Sequence, residues 1–326
     1  MNGVARSSAV PDTTAHPAAD TTAFDRTLAA HHLAGFWTAR VPSHRAEPAF
    51  LWKWAPLEQA LERAGRDIGM AMAERRVIKL SNPQLPSGAA SRTVQFNFSI
   101  VNGGERAVAH RHSIGAVRFV LRGHAAYTTV DGARCDMQPG DFILTPAGSW
   151  HDHTNLSGEP VVWLDGLDGP LIQALNLAFF EDHMHAEQAV ERMAGPPLRV
   201  AREAAVAALD AMAPADEDPD LGACFEYPAL PTLACRLLRQ RGGRPRREHR
   251  RSSATLFHVV EGRGHTTVGE QTLEWARGDT FVVPAWNWCR HAGGGSGKDG
   301  SGDALLFSMD DSPALRALGL YKEETR

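Results

Sequence analysis

Gln138-Pro139-Gly140-Asp141-Phe142-Ile143-Leu144-Thr145-Pro146 is a proline–glycine turn that runs into an apolar strand and stops at a second proline. The chain writes it again as Ala276-Arg277-Gly278-Asp279-Thr280-Phe281-Val282-Val283-Pro284. Each copy carries Gly-Asp where a tight turn needs them, followed by the β-branched and aromatic residues that favour a pleated, buried strand. Working outward, Val120-Leu121-Arg122-Gly123 answers Val259-Val260-Glu261-Gly262, and Thr128-Thr129-Val130 answers Thr266-Thr267-Val268. The offset stays close to 139 residues, so the chain holds two copies of one β domain.

Around the first copy the texture is that of short strands and turns. Thr93 to Ile100 alternates apolar and polar residues, as a half-buried strand does. Val117–Leu121, Ala126–Val130 and Asp141–Leu144 follow, with turns at Arg122-Gly123, Asp131-Gly132 and Pro139-Gly140. Strands this short and evenly spaced indicate a barrel or sandwich. Residues 25–76 read as helical, the second helix running from Leu57 to about Arg76, and residues 171–212 read as helical again. The expected division is a disordered tail at 1–24, a helical segment at 25–91 and a first barrel at 92–170. A helical connector and acidic linker then occupy 171–220, and a second barrel 221–326 with a glycine-rich loop at 293–302.

With 326 residues, 43% hydrophobic and 22% charged, the chain can bury a large core. A net charge of −4 offers nothing to nucleic acid or to an acidic membrane surface. No uncharged run approaches the ~18 apolar residues of a membrane helix. Cys135, Cys224, Cys235 and Cys289 are widely spaced, which excludes a zinc ribbon and a disulfide framework and points to the cytoplasm.

The chemistry concentrates in Gly104-x5-His110-x-His112 and Gly140-x5-Pro146-x-Gly148-x2-His151-x3-Asn155. Residues two apart on a strand project from one face, so His110 and His112 point together. A second strand entering through the Pro146–Gly148 turn would bring His151 to the same point. Three neutral imidazoles on one side of a metal leave the opposite positions for substrate and O₂. The second copy has His249, Arg251 and Cys289 at the aligned positions and Trp286 for the turn glycine. A guanidinium cannot ligate a cation, so this barrel is expected to be metal-free.

These segments resemble the two cupin motifs, with one departure. The glutamate that usually follows the second histidine is missing, its place taken by Ala116 and Val117. A three-His site results, with one negative charge fewer, suited to an anionic chelating substrate. His110-Arg111-His112 with Ala116-Val117-Arg118-Phe119, then Trp150-His151-Asp152-His153 and Trp163 to Asp168, resemble the gentisate and salicylate 1,2-dioxygenase family, which includes 1-hydroxy-2-naphthoate dioxygenase. Asn82-Pro83, Phe281 to Trp286 and Ala317 to Leu320 extend the likeness over about residues 30–326.

The resemblance implies a mainly β bicupin and one Fe(II) per subunit on His110, His112 and His151. It also implies a homotetramer that uses O₂ to open the ring of an ortho-hydroxybenzoate. Arg118, six residues after His112 and hence on the same strand face, is placed to bind the substrate carboxylate. His153, two after His151, is the candidate acid or base. Asp165 contacts a ring substituent or buttresses His153, and Arg75 or Arg76 supplies a second cation. Gln95, Asn97 and Ser99 alternate onto one face and are expected to line the pocket. They depart from the family's aromatic, small and glutamine residues there, which leaves gentisate, a 5-substituted salicylate and a hydroxynaphthoate open as substrates. The competing readings are another three-His cupin enzyme acting on a diketone or a thiol, or an isomerase, and a bicupin that binds a metabolite without catalysis. Among these, Arg118 and the Trp150–His153 segment favour ring cleavage.

Overall fold

The structure, a computed structural model, describes residues 22–36, 47–70, 75–85, 87–212, 222–241, 247–294 and 302–326. Most of the tail at 1–24, the linker at 213–220 and most of the loop at 293–302 lie outside the described residues. The chain divides into two compact units, residues 1–45 and 46–326. The first holds the helix α1 (Thr22–Ala30), which the sequence reading started three residues later.

The second unit opens with β1 (Phe50–Trp52), α2 (Trp54–Asp67) and β2 (Arg76–Lys79). A first run of strands follows: β3 (Gln95–Val101), β4 (Arg106–His112), β5 (Ala116–Arg122), β6 (Ala126–Val130), β7 (Ala133–Met137), β8 (Phe142–Thr145), β9 (His151–Asn155) and β10 (Val161–Leu167). Then come α3 (Gly169–Ala174), β11 (Phe180–Asp182), β12 (Arg192–Met193), β13 (Arg199–Val200) and α4 (Arg202–Asp210). The second run is β14 (Gly222–Tyr227), β15 (Leu230–Gln240), β16 (His249–Arg251), β17 (Thr255–Glu261), β18 (Arg263–Val268), β19 (Gln271–Ala276), β20 (Thr280–Val283), β21 (Cys289–Gly293) and β22 (Ala304–Asp310), closed by α5 (Ser312–Ala317) and β23 (Glu323–Thr325). Among the described residues no helix is long and apolar enough to cross a membrane.

Each run makes a barrel of two sheets. The first uses β13-β8-β5-β10-β3-β2 and β11-β4-β9-β6-β7-β12; the second uses β1-β20-β17-β22-β15-β14 and β19-β18-β21-β16-β23. Apart from β12, which has no counterpart in the second barrel, the sheets correspond strand for strand, and they exchange edges. β1 precedes the first barrel yet pairs with β20 of the second, while β13 precedes the second and pairs with β8 of the first. The repeated Gly-Asp turn explains the exchange. Asp141 accepts the backbone N–H of Arg202, the first residue of α4, at 2.9 Å, and Asp279 accepts that of Trp54, the first residue of α2, at 2.8 Å. A carboxylate at a helix N-terminus satisfies a backbone donor that has no partner within the helix and complements the helix dipole. Gly140 (φ +91°) and Gly278 (φ +88°) are required there: a Cβ would strike the side chains of Arg202 and Trp54.

The outer faces of the two large sheets share a core. Phe307 stacks on Phe119 at 4.7 Å and lies 6.0 Å from Phe96 and 5.4 Å from Phe142. Leu57 and Leu61 put one face of α2 into the same cluster. β3 is therefore buried on both faces, not half-buried as its alternation suggested, because one face lines the first barrel and the other fills the interface.

Two helical readings are corrected. The second helix ends at Asp67, and Arg76 begins a strand paired with β3. Between α3 and α4 the chain forms β11, β12 and β13, where the sequence reading had one helical connector. The cause is tertiary: β11 completes the open edge of β4, Phe180 opposite His112, and an edge that offers hydrogen bonds overrides weak helix propensity.

Candidate metal centre and substrate pocket

β4 turns His110 and His112 into the first barrel, and β9, its neighbour, sets His151 opposite His110. Gly148 makes the return possible. Its φ of +79° lies in the left-handed region, and its N–H donates to the His112 carbonyl at 2.8 Å. The three rings lie 4.3–5.6 Å apart by centroid, and their ligand atoms are all within 4.8 Å of one another.

Their tautomers are set by the backbone. Nδ1 of His110 faces the Val108 carbonyl at 2.8 Å, that of His112 the Ile114 carbonyl at 2.7 Å, and that of His151 the Ser149 carbonyl at 3.0 Å. A ring nitrogen facing a carbonyl carries the proton, so each Nε2 keeps its lone pair. The Nε2 atoms of His110 and His151 are buried without a hydrogen-bond partner. Burial lowers the pKa of His110 to about 3 and of His112 to about 4, with Arg75 adding to the effect, and it holds His151 well below the usual range. All three are neutral at pH 7. Among the described residues no carboxylate joins the cluster, in keeping with Ala116 and Val117 at the vacated glutamate position. Two buried, unpartnered nitrogens in a neutral three-imidazole set fit a divalent cation held on one face.

Beside His112 opens a cavity of ≈ 420 Å³. Arg118, Asp165 and Asn97 line it from one row across β5, β10 and β3, where Asp165 pairs in register with both of the others. Arg118 is 1% exposed; its guanidinium donates to Thr145 Oγ1 and forms a 3.2 Å ion pair with Asp165. Asp165 Oδ2 also accepts from Ser99 Oγ at 2.7 Å and from Trp163 Nε1 at 2.9 Å. Desolvation pulls Arg118 down to about 10, which leaves it charged at pH 7. Asn97 Oδ1 is buried with no hydrogen-bond partner.

A cupin domain model matches residues 97–166 and 237–298, one match in each barrel. The chain is 37% identical to 5-aminosalicylate 1,2-dioxygenase of Comamonas sp over 84% of its length and 81% of the relative's. It is 33% identical to gentisate 1,2-dioxygenase 1 of Aquipseudomonas alcaligenes (91% and 94% covered) and 34% identical to 1-hydroxy-2-naphthoate 1,2-dioxygenase of Nocardioides sp. (94% and 88%). The crystal structure of salicylate 1,2-dioxygenase from Pseudaminobacter salicylatoxidans superposes with a TM-score of 0.82 at 26% identity, covering 93% of this chain and 97% of that one. An adduct of that enzyme with gentisate gives the same score, with 98% and 97% covered. The chain belongs to the gentisate and salicylate 1,2-dioxygenase family.

Measured against this family of ring-cleaving enzymes, the sequence-derived site residues fall into three groups. His110, His112 and His151 come together, and Arg118, Asp165, Asn97 and Arg75 line the cavity beside them. The choice between Arg75 and Arg76 falls to Arg75, because Arg76 is spent on Glu105 at 2.5 and 2.9 Å. Asp165 braces Arg118, not His153.

Two residues expected on the pocket wall are elsewhere. Gln95 is 4% exposed and fully bonded, accepting from Ala90 N–H at 2.8 Å and donating to the Leu80 and Phe96 carbonyls. Ser99 serves Asp165. Parity chose the correct face of β3, but only its centre reaches the cavity.

His153 lies in the barrel interior, 4.8 Å from Trp163 by centroid, with Nδ1 2.8 Å from Thr128 Oγ1 and a buried Nε2 that has no protein partner. Missed entirely were the apolar walls: Val77, Ile114, Leu167, Ala178, Phe179 and Phe180. Phe180 stacks on His110 at 5.1 Å and 17°. The adjacent pair Phe179-Phe180 was the available signal, obscured by the helical reading of its segment.

Proposed function

We propose that this chain is an iron(II)-dependent dioxygenase that opens an ortho-hydroxybenzoate between its carboxyl-bearing and hydroxyl-bearing carbons. The observation that carries the proposal is the juxtaposition of three neutral, buried imidazoles with a ≈ 420 Å³ cavity walled by a buried arginine. The carbon–carbon bond breaks, both atoms of O₂ enter the product, and no external reductant is consumed.

One Fe(II) per subunit is assigned to His110, His112 and His151; when bound, it supplies the positive centre at which a chelating substrate and O₂ meet. The protein groups do the rest. Arg118, already charged and desolvated, offers its guanidinium to the substrate carboxylate, and Asp165 keeps it in place. Arg75 adds a second positive charge at the cavity. His153 is neutral at pH 7, its pKa held well below the usual range first by burial and then by Arg118. With Nδ1 engaged by Thr128, its Nε2 is the group to accept the ring-hydroxyl proton. The apolar walls take up the ring.

Asn97 Oδ1 supports a narrower choice of substrate. A buried acceptor without a partner favours a ring that brings a donor, such as the amino group of 5-aminosalicylate or the 5-hydroxyl of gentisate, over unsubstituted salicylate. Exposed Leu175, Leu177, Phe179, Phe180 and Met184 form the kind of apolar surface that a homotetramer covers. Four free cysteines suit the cytoplasm.

The test is O₂ consumption by anaerobically Fe(II)-loaded protein with 5-aminosalicylate, gentisate, salicylate, 5-nitrosalicylate and 1-hydroxy-2-naphthoate, with ultraviolet spectra of the products. Fast uptake and a ring-opened chromophore with the first two are expected, and His112→Ala or His151→Ala should lose both iron and uptake. Iron-loaded protein inert to all five substrates would refute ring cleavage and leave the fold standing.

A further inference from the structure

The second barrel reproduces the metal face of the first with different donors. β16 and β21 pair with His249 opposite Cys289, the position that His151 takes opposite His110. Arg251 stands where His112 does, which at the level of sequence argues for a barrel without metal. The structure turns that guanidinium to Glu323 on β23, at 2.9 and 3.0 Å. His291, the counterpart of His153, completes the cluster instead. The ligand atoms of His249, Cys289 and His291 lie within 4.8 Å of one another, and the residues are 3%, 3% and 1% exposed.

We propose that His249, Cys289 and His291 form a second metal site that takes zinc(II) and is structural in role. Donor chemistry separates it from the first site. A thiolate with two imidazoles is a softer set that suits zinc, whereas three imidazoles beside an open cavity suit an oxygen-activating metal. The spacing fits. Zn–S of ≈ 2.3 Å and Zn–N of ≈ 2.0–2.1 Å about a tetrahedral centre put sulfur and nitrogen about 3.5 Å apart, and Cys289 Sγ lies 3.3 Å from His249 Nε2.

A separate observation points the same way. Ser253 is 3% exposed, and its Oγ is buried without a hydrogen-bond partner. It lines, with His249 and Cys289, a cavity of ≈ 10 Å³. That volume is about enough for one water-sized body. It admits an ion or its small fourth ligand and no aromatic ring, so the ion would tie strands together and not meet an aromatic substrate. Binding would tie β16 to β21 and release the Cys289 thiol proton.

The experiment uses the full chain, stripped of metal, in the His112→Ala/His151→Ala background that removes the first site. Titration with zinc should show one equivalent retained after gel filtration, against two in the unsubstituted chain. Cobalt(II) in its place should give a sulfur-to-cobalt charge-transfer band in the near ultraviolet, lost in Cys289→Ser and in His249→Gln but kept in Cys224→Ser. Cys289→Ser with the first site intact should still consume O₂ when iron-loaded, which shows that the variant folds. Zero retained equivalents in the double variant, or a cobalt–sulfur band that survives Cys289→Ser, would overturn the second site without touching the first.

Discussion

Replacing Asn97 by leucine, which keeps the branched outline without polar atoms, asks whether this side chain sets substrate choice. Asn97 Oδ1 has no hydrogen-bond partner in the protein, so once a ring has displaced water from the cavity this acceptor is left unsatisfied unless the ring brings a donor. A ring that brings an N–H or O–H satisfies it. Such a hydrogen bond contributes about 0.5–1.5 kcal/mol, and leaving the buried partner unsatisfied costs about 1–3 kcal/mol. Preference for 5-aminosalicylate over salicylate should therefore amount to about 1–3 kcal/mol, roughly 5- to 150-fold in kcat/KM. In Asn97→Leu the value for 5-aminosalicylate should fall by that factor, while salicylate is turned over as well as before or better. Steady-state O₂ uptake on both substrates, normalised to bound iron, reads the ratio. Arg118 and Asp165 remain, so carboxylate binding is common to the two. An equal fall on both substrates, or an unchanged ratio, would refute a role in discrimination.

Arg118→Gln should cut kcat/KM by about 10- to 150-fold through loss of a charge-assisted bond while iron is retained, and it should cost about 3–5 kcal/mol of stability because Asp165 is left buried without its cation. Adding Asp165→Asn should recover much of the stability and none of the turnover; denaturant melts and O₂ uptake separate the two effects, and unchanged kinetics in Arg118→Gln would remove the carboxylate role. Phe307→Ala should destabilise the protein by about 3–5 kcal/mol, because its ring packs between the two barrels against Phe96, Phe119 and Phe142, with iron content unchanged; a shift below about 1 kcal/mol would contradict a shared core. His258 is buried, and desolvation lowers its pKa to about 4 from 6.5. Between those values the unfolded chain binds the extra proton, so stability is full above pH 6.5 and declines as pH falls toward 4, by up to about 3 kcal/mol. The stability difference between wild type and His258→Gln at pH 7 and pH 4.5 isolates that group, and parallel acid profiles would refute the assignment.

Much of this was legible because the determinants are local. Two histidines two apart, a left-handed glycine at Gly148 and a Gly-Asp turn ahead of a strand have nearly the same meaning in any chain. Arg118 does reach the cavity that His112 lines, but the two stand on β5 and β4 in different sheets with a turn between them, so a count of six residues was not one strand's period. The rest depends on partners distant in sequence. Nothing near Phe180 says that it will pair with β4 and stack on His110, since a four-residue apolar run, Leu177 to Phe180, is as compatible with a helix turn as with an edge strand. Gln95 failed for the same reason. Its parity was correct, but its amide is consumed by the loop that carries Leu80 and Ala90, whose position is set by the fold.

The repeat also shows why the two barrels differ inside. In the first barrel the His112 side points to a ≈ 420 Å³ cavity, and β11, which closes that edge, carries phenylalanines to its wall. In the second, β23 closes the corresponding edge with Glu323 and Glu324, which hold Arg251 and Arg250 in ion pairs, and Arg251 lines the cavity that is left. That cavity is only ≈ 10 Å³. Trp286 replaces the turn glycine, keeps the left-handed φ of +60° despite its side chain, and packs its ring on the Arg250 guanidinium at 4.5 Å. A left-handed tryptophan is strained by about 1–2 kcal/mol, and an arginine stacked over its ring offsets about half of that or more. The substitutions that abolish the three-imidazole site are thus the ones that seal the barrel. What they leave inside, His249, Cys289 and His291, is shielded from substrate and kept close enough to share an ion.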